Sequence, residues 1–436
     1  MSRGVIDKYL RSHAQPEAPS VSLHDTCGTH HVLTVPAYDE SSEDFLLLES
    51  LPDGAGVLVI VLVNGRDDSG AQENARNRSF LAWLRAKYGG GRAVGAHSTE
   101  HVTGFGGLLV MDRTADTLPL PAKQGVGLAR KILCDVALSL RARGQLLADV
   151  IHCTDADARL PGDYFERVAA RGAAPFAAVF PYAHTGDAGT LHRAGELYEL
   201  SLRYYVIGLQ RAGSPYAFQT IGSTIAVSMT AYASVRGFPR RHGAEDFYLL
   251  NKLAKVGPVE RLGGAPIELR DRVSSRIPFG TGPAVQRIID GEERRFYHPR
   301  SFLLLRDFLA GISVLAAGAE TPTDTAALAR ALYPALERKR ATELVDASGI
   351  AGAVTAAFER GADSRVRLRH LHTYFDAFRT LKFVHALRAC ELEEVGAAEA
   401  VAGLLGDPSQ GVAHDVERLR EVERTECGGD VGLASA

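Results

Sequence analysis

The run VLVIVLV at Val57–Val63 is the most constraining feature of the chain, seven consecutive aliphatic residues dominated by β-branched side chains. Such a run is too short to cross a bilayer and has no polar face, so it fits a strand covered on both sides within a parallel sheet. Parallel strands need crossover connections, and the following residues supply them. Glu73–Lys87 spaces Ala75, Phe80, Trp83 and Leu84 at helical intervals and stops at Gly89–Gly91. Leu108–Met111 reads as a second strand ending at Asp112, Val126–Leu140 as a helix, and Val150–Cys153 as a third strand ending at Thr154-Asp155. This βαβαβ order predicts an α/β, doubly wound, mostly parallel sheet whose ligands bind beyond the carboxyl ends of its strands.

The pattern continues through a helix opened by Gly162-Asp163 (Tyr164–Ala170), a strand at Phe176–Phe180, a helix at Glu196–Leu209, a strand at Thr224–Val227 and a helix at Glu245–Ala254. Beyond Pro299 only helices are expected: Leu303–Leu315, Thr323–Lys339, Ile350–Arg360, Leu368–Arg388 and Ala397–Leu405, followed by a frayed tail after Asp415. Three regions result: an irregular N-terminal segment (1–53), a sheet domain (54–290) and a helical C-terminal domain (291–436). The last is expected to pack on the sheet domain, shaping one side of its site, or to form a homo-oligomer.

Composition narrows the function. A net charge of −3 without basic blocks excludes a nucleic-acid footprint. The five scattered cysteines read as free thiols; with no secretion signal and no spanning segment, they point to the cytoplasm. His24, Cys27, His30 and His31 lie too close together for the paired spacing of a zinc finger, so HDTCGTHH reads as a surface loop.

The chemistry concentrates at strand ends. In TDADARLP, Asp155 and Asp157 follow a buried strand two positions apart, a donor set suited to Mn²⁺ or Mg²⁺ carrying a diphosphate. Asp112 and Asn64 end their strands and can accept hydrogen bonds from a nucleoside. In GVGLARKILCD, Arg130 and Lys131 can neutralise a diphosphate, and Arg272 and Arg276 precede a flexible Gly280-Thr281-Gly282 able to close over a phosphate or acidic acceptor. Glu245 and Asp246 open a helix, where its dipole favours carboxylates; turned inward, one could act as a general base. His184 and His242 remain unassigned candidates for a third metal ligand.

Taken in order, VLVIVLVN, Asp112, GVGLARK, TDADARLP and VRGFPRRHGAEDFYLLNKLAKVG resemble the family 2 glycosyltransferases and their relatives of the glycosyltransferase-A fold, over about residues 55–280. The resemblance implies a nucleotide-sugar donor, with Asp112 at the nucleoside, Arg130 near the diphosphate, Asp155 and Asp157 at metal and ribose, and Asp246 as base supported by Glu245. It also implies transfer with inversion to an unidentified acceptor hydroxyl. The chain departs from the pattern in the long stretch Gly89–Gly107 and in Arg113 where a second acid is expected after Asp112. Retaining transfer to a small acidic acceptor, nucleotidyl transfer and non-catalytic sugar-nucleotide binding are the alternatives. A nicotinamide dehydrogenase is disfavoured because VNGRDDSG lacks the glycine fingerprint after the strand.

Overall fold

In the computed structural model, residues 2–24, 29–169, 176–272, 280–318, 320–359, 363–388, 392–426 and 430–431 are described. The chain divides into two compact units, one formed by residues 1–192 and 220–286 and the other by residues 193–219 and 287–436.

The first unit runs α1 (Ser2–Ser12), α2 (Glu17–Ser20), β1 (His31–Ala37), β2 (Val57–Asn64), α3 (Ala71–Lys87), β3 (Arg92–Gly95), β4 (Ser98–Thr103), β5 (Gly106–Arg113), α4 (Gly125–Ala142) and β6 (Val150–Cys153). It continues with β7 (Ala158–Arg159), α5 (Glu166–Ala169), β8 (Ala177–Val179), β9 (Tyr182–Thr185), the start of α6 (Thr190–Arg211), β10 (Ile225–Ser228), α7 (Met229–Ser234), α8 (Glu245–Leu253), β11 (Val259–Arg261), β12 (Ile267–Arg270) and the start of α9 (Thr281–Ile289). The main sheet has the order β11-β8-β10-β6-β1-β2-β5-β4-β3, and β7, β12 and β9 form a small second sheet. The pairs β6/β1, β1/β2, β2/β5 and β8/β11 are parallel, whereas β10 and β4 run against their neighbours.

All eight residues of β2 are buried, as a strand with parallel neighbours on both sides requires. Val57, Val59, Val61 and Val63 join Phe80, Leu81 and Leu84 of α3 in one core cluster, and each fully buried aliphatic side chain contributes roughly 1.5–3 kcal/mol. On α4 nearly every residue is buried, including Arg130, Lys131 and Asp135. Those charges need partners to remain there. Lys131 Nζ lies 2.5 Å from Tyr9 Oη and 3.1 Å from Asp135, and Tyr232 also donates to Asp135. Lys131 therefore anchors α1 and does not face a diphosphate.

The segment read as irregular, 1–53, holds among its described residues two α-helices, a 3-10 turn at Leu47–Ser50 and the strand at the centre of the sheet. β1 lies between β2 and β6, so β2 is second in the parallel series and not first. Its polar residues concealed it. Thr34 Oγ1 donates to the His152 carbonyl, His31 stacks on Phe165, and pairing with β6 ends at Thr34, before Pro36. The stretch Gly89–Gly107 holds the antiparallel strands β3 and β4 on the far side of β5.

The second unit continues α6 and α9 and adds α10 (Arg300–Ala317), α11 (Thr325–Leu332), α12 (Arg338–Ser348), α13 (Ala351–Glu359), α14 (Ser364–Tyr374), α15 (Ala377–Leu387), α16 (Ala397–Leu405) and α17 (Val412–Glu426) around a core that includes Phe308, Phe375 and Phe383. Two predicted helices are each divided. Pro334 prevents Thr323–Lys339 from running through, and Asp376 caps α15 by accepting from the Arg379 amide, ending Leu368–Arg388 as one helix. The tail expected to fray is helical as α17, with Asp415, Val416 and Leu419 buried. Among the described residues no helix is long and apolar enough to cross a membrane.

Candidate functional site

Strand order locates the site before any side chain is considered. The chain builds outward from β1 to β2 to β5, then returns to place β6 on the other side of β1. The connections leaving β1 and β6 therefore diverge, and the crevice at their carboxyl ends is the switch point where such sheets bind ligands. Two segments meet there: Tyr38-Asp39-Glu40 after β1, and Thr154–Asp157 after β6.

Arg130 joins this crevice to the start of α8. From the buried face of α4, its Nη2 lies 2.6 Å from Asp155 Oδ1, its Nε 3.1 Å from Glu245 Oε1, and its Nη1 3.4 Å from the Thr154 carbonyl. Two glycines make room. A Cβ at Gly222 would lie 2.6 Å from Arg130 Nη2, and one at Gly127 would lie 2.5 Å from the Pro239 carbonyl, on the segment leading into α8. The Gly127 amide donates to the Arg241 carbonyl at 3.0 Å, fixing α4 to that segment.

Ala244, just before Glu245, has φ 56°, a left-handed conformation that costs a residue with a side chain on the order of 1–3 kcal/mol. It turns the chain so that Glu245 points inward to Arg130. Burial raises the Glu245 carboxyl, and the Arg130 charge counteracts this. The half-buried Asp246 is pushed up to about 7, first by burial and then by the negative charge of Glu245. A carboxylate there is poised for proton exchange near neutral pH.

Asp157 forms the second half of the crevice. Arg272 Nε lies 2.9 Å from Asp157 Oδ2, and Arg272 Nη1 lies 2.9 Å from Glu40 Oε2, so one guanidinium ties the ends of β1 and β6 together. The Asp157, Glu40 and Asp155 charges outweigh the effect of burial on Arg272 and raise its pKa. Glu40, which the 1–53 reading left out, completes an acid–base lattice with Arg272. The signal for Glu40 was the largely apolar HVLTVPA immediately before YDE.

The remaining expected residues stand apart from this lattice. Asn64 ends β2 with its side chain buried and Oδ1 without a hydrogen-bond partner among the described residues. Asp112 lies one strand further out; its Oδ1 accepts from the Thr114 amide (3.1 Å), the Thr114 hydroxyl (2.8 Å) and the Thr117 hydroxyl (3.3 Å), and its Oδ2 lies 3.4 Å from Arg85. Arg276 falls outside the described residues. His184 lies buried in β9 against Tyr182, and His242 meets Arg66 at 3.1 Å. His24 meets the Ala93 carbonyl, and Cys27 is outside the described residues. Among the described residues no group of three or more His, Cys, Asp or Glu could hold a metal ion.

Comparison with known proteins gives structural likeness only. No family model matches the chain, and no curated protein does. Among solved structures it is similar to S. aureus TarS 1–349 in complex with UDP-GlcNAc, at 15% identity over 79% of this chain and 90% of that one, with a TM-score of 0.34. It is also similar to the mannosyltransferase PcManGT from Pyrobaculum calidifontis in complex with GDP-Man and Mn²⁺, at 15% identity over 90% of this chain and 100% of that one, with a TM-score of 0.35.

Proposed function

We propose that the chain is a glycosyltransferase that moves a sugar from a nucleotide-sugar donor to an acceptor hydroxyl, with Asp246 as general base and inversion at the anomeric carbon. One observation carries this reading: Arg130 links Asp155, at the sheet's switch point, to the Glu245-Asp246 pair, whose second member is raised to about 7. The donor end and the proton-accepting end of a transfer reaction are thereby supported from one guanidinium.

A divalent cation suits the donor chemistry. Asp155 and Asp157 offer hard carboxylate oxygens, and one or two carboxylates are what Mg²⁺ or Mn²⁺ takes when phosphate and water complete its shell. Arg130 and Arg272 hold the same two carboxylates, so they set the side chains that would receive the ion. When bound, the cation would supply charge neutralisation to the departing nucleoside diphosphate.

The chain's own residues supply the rest. The Asp246 carboxylate removes the proton from the acceptor hydroxyl. Glu245, held by Arg130, raises the proton affinity of Asp246, and the strained turn at Ala244 sets both carboxylates at the head of α8. Asn64 and Asp112, at neighbouring strand ends, contact the nucleoside, and Arg276 meets the donor phosphates or an acidic acceptor.

The test is thermal stability against nucleoside diphosphates and their sugars, with and without Mn²⁺, in wild type and Asp157→Ala. A metal-dependent rise in Tm that Asp157→Ala abolishes is expected, since a ligand of the folded state must stabilise it. No rise with any nucleotide would overturn the reading.

A further inference from the structure

Arg130 presents one face of α4 to the candidate site; the opposite face borders a cavity. Gln124, Leu128 and Ile132 recur every fourth residue and line it together. Arg130 lies roughly 200° around the helix from Leu128 and from Ile132. The cavity measures about 440 Å³, within the roughly 300–1,000 Å³ common for small-molecule sites.

Its floor is apolar, formed by buried Met111, Leu128 and Ile132, and Leu118 stands at its edge 57% exposed. The charges around it are unequal. Arg113 is matched by an ion pair with Glu17, and Asp112 is held by Thr114, Thr117 and Arg85. Arg240 is exposed at the same cavity and has no carboxylate partner among the described residues. An apolar floor beside a guanidinium with no carboxylate partner among the described residues selects a particular ligand chemistry.

We infer that this cavity is a second small-molecule site, taking an amphiphilic anion whose flat apolar body lies on Met111, Leu128 and Ile132 and whose acidic group meets Arg240. Asp155, Asp157, Glu245 and Asp246 are absent from the lining; the one residue shared with the proposed donor site is Asp112, whose carboxylate is already held by Thr114, Thr117 and Arg85.

The probe is 1-anilinonaphthalene-8-sulfonate titrated into the full-length protein, with the uncharged N-phenyl-1-naphthylamine beside it. Saturable fluorescence at one site per chain is expected for both. Arg240→Glu, a surface substitution, should weaken the sulfonate by about tenfold or more, the scale of one lost charge contact, and leave the uncharged probe unchanged. Ile132→Trp, which fills the floor, should abolish both. Sulfonate binding that does not saturate, or that Arg240→Glu leaves intact, would overturn the site. Displacement of the sulfonate by a nucleoside diphosphate would also overturn it, assigning the cavity to the donor through Asp112.

Discussion

Each unit of this molecule buries a cluster of arginines and carboxylates, and the two clusters are built differently. In the helical unit, Glu199 receives Arg203 at 2.7 Å and Arg420 at 2.7 and 2.9 Å, while Arg203 also pairs with Glu423, which accepts from Gln219 at 2.6 Å. Within the cluster Glu199 and Glu423 meet two arginines and both Glu199 oxygens are used, while the exposed Glu417 adds a contact to Arg420 from the surface at 2.5 Å. In the sheet unit, Asp155, Glu245 and Asp246 gather around Arg130, Asp157 and Glu40 hold Arg272, and Asp246 is raised to about 7, so five acids face two arginines. A balanced cluster keeps its charges and fastens helices. A cluster with excess acid favours an added proton or cation, the condition a general base and a metal site both need.

The comparison breaks first on Asp246→Asn. If the unbalanced cluster serves catalysis, donor turnover should fall by about 10²–10⁴, the usual contribution of a general base, with Tm unchanged or raised because a repelling charge is gone. A variant that loses stability and keeps turnover would reverse the roles of the two clusters. Glu199→Ala should do the opposite. It leaves Arg203 and Arg420 without their shared partner and should cost about 3–5 kcal/mol in denaturant unfolding.

The pH dependence sharpens the distinction. Asp246 titrates near 7 in the folded protein against an ordinary value of 3.8. The folded state therefore binds this proton more tightly, and the contribution of Asp246 to stability declines as pH rises from about 4 to 7. The base works deprotonated, so kcat/KM should fall about tenfold per pH unit below 7. Asp246→Asn should remove its share of the stability slope, read from Tm across that window. The smallest expected effect is Ala244→Gly, which relieves the left-handed turn and should stabilise the fold by about 1 kcal/mol or less, with some loss of turnover as Glu245-Asp246 gain freedom.

Much of the architecture was legible in the sequence for one physical reason: a strand buried on both faces and made almost wholly of aliphatic residues cannot hide. Val57–Val63 reads as β2, and Val150–Cys153 is β6 with the same bounds. β1 was not legible, because its polar groups are satisfied only by tertiary partners, the His152 carbonyl for Thr34 and the Phe165 ring for His31. Missing β1 meant missing Glu40 and the switch point itself. Arg130 was read as a cation near a diphosphate. The structure buries it between two carboxylates, one of them 115 positions away.

The sequence by itself determined the aliphatic strands β2 and β6 and most of the helices, and that Asp155, Asp157, Glu245 and Asp246 stand at the ends of such elements. Hydrophobic periodicity and turn residues act over a few positions, within reach of such a reading. Only the tertiary structure decided that β1 lies between β2 and β6, that Arg272 joins Glu40 to Asp157, and that Asp246 rises to about 7. Those outcomes depend on burial and on charges brought together from distant parts of the chain; for Asp246 it is burial, which no sequence neighbour supplies, that adds to the adjacent charge of Glu245.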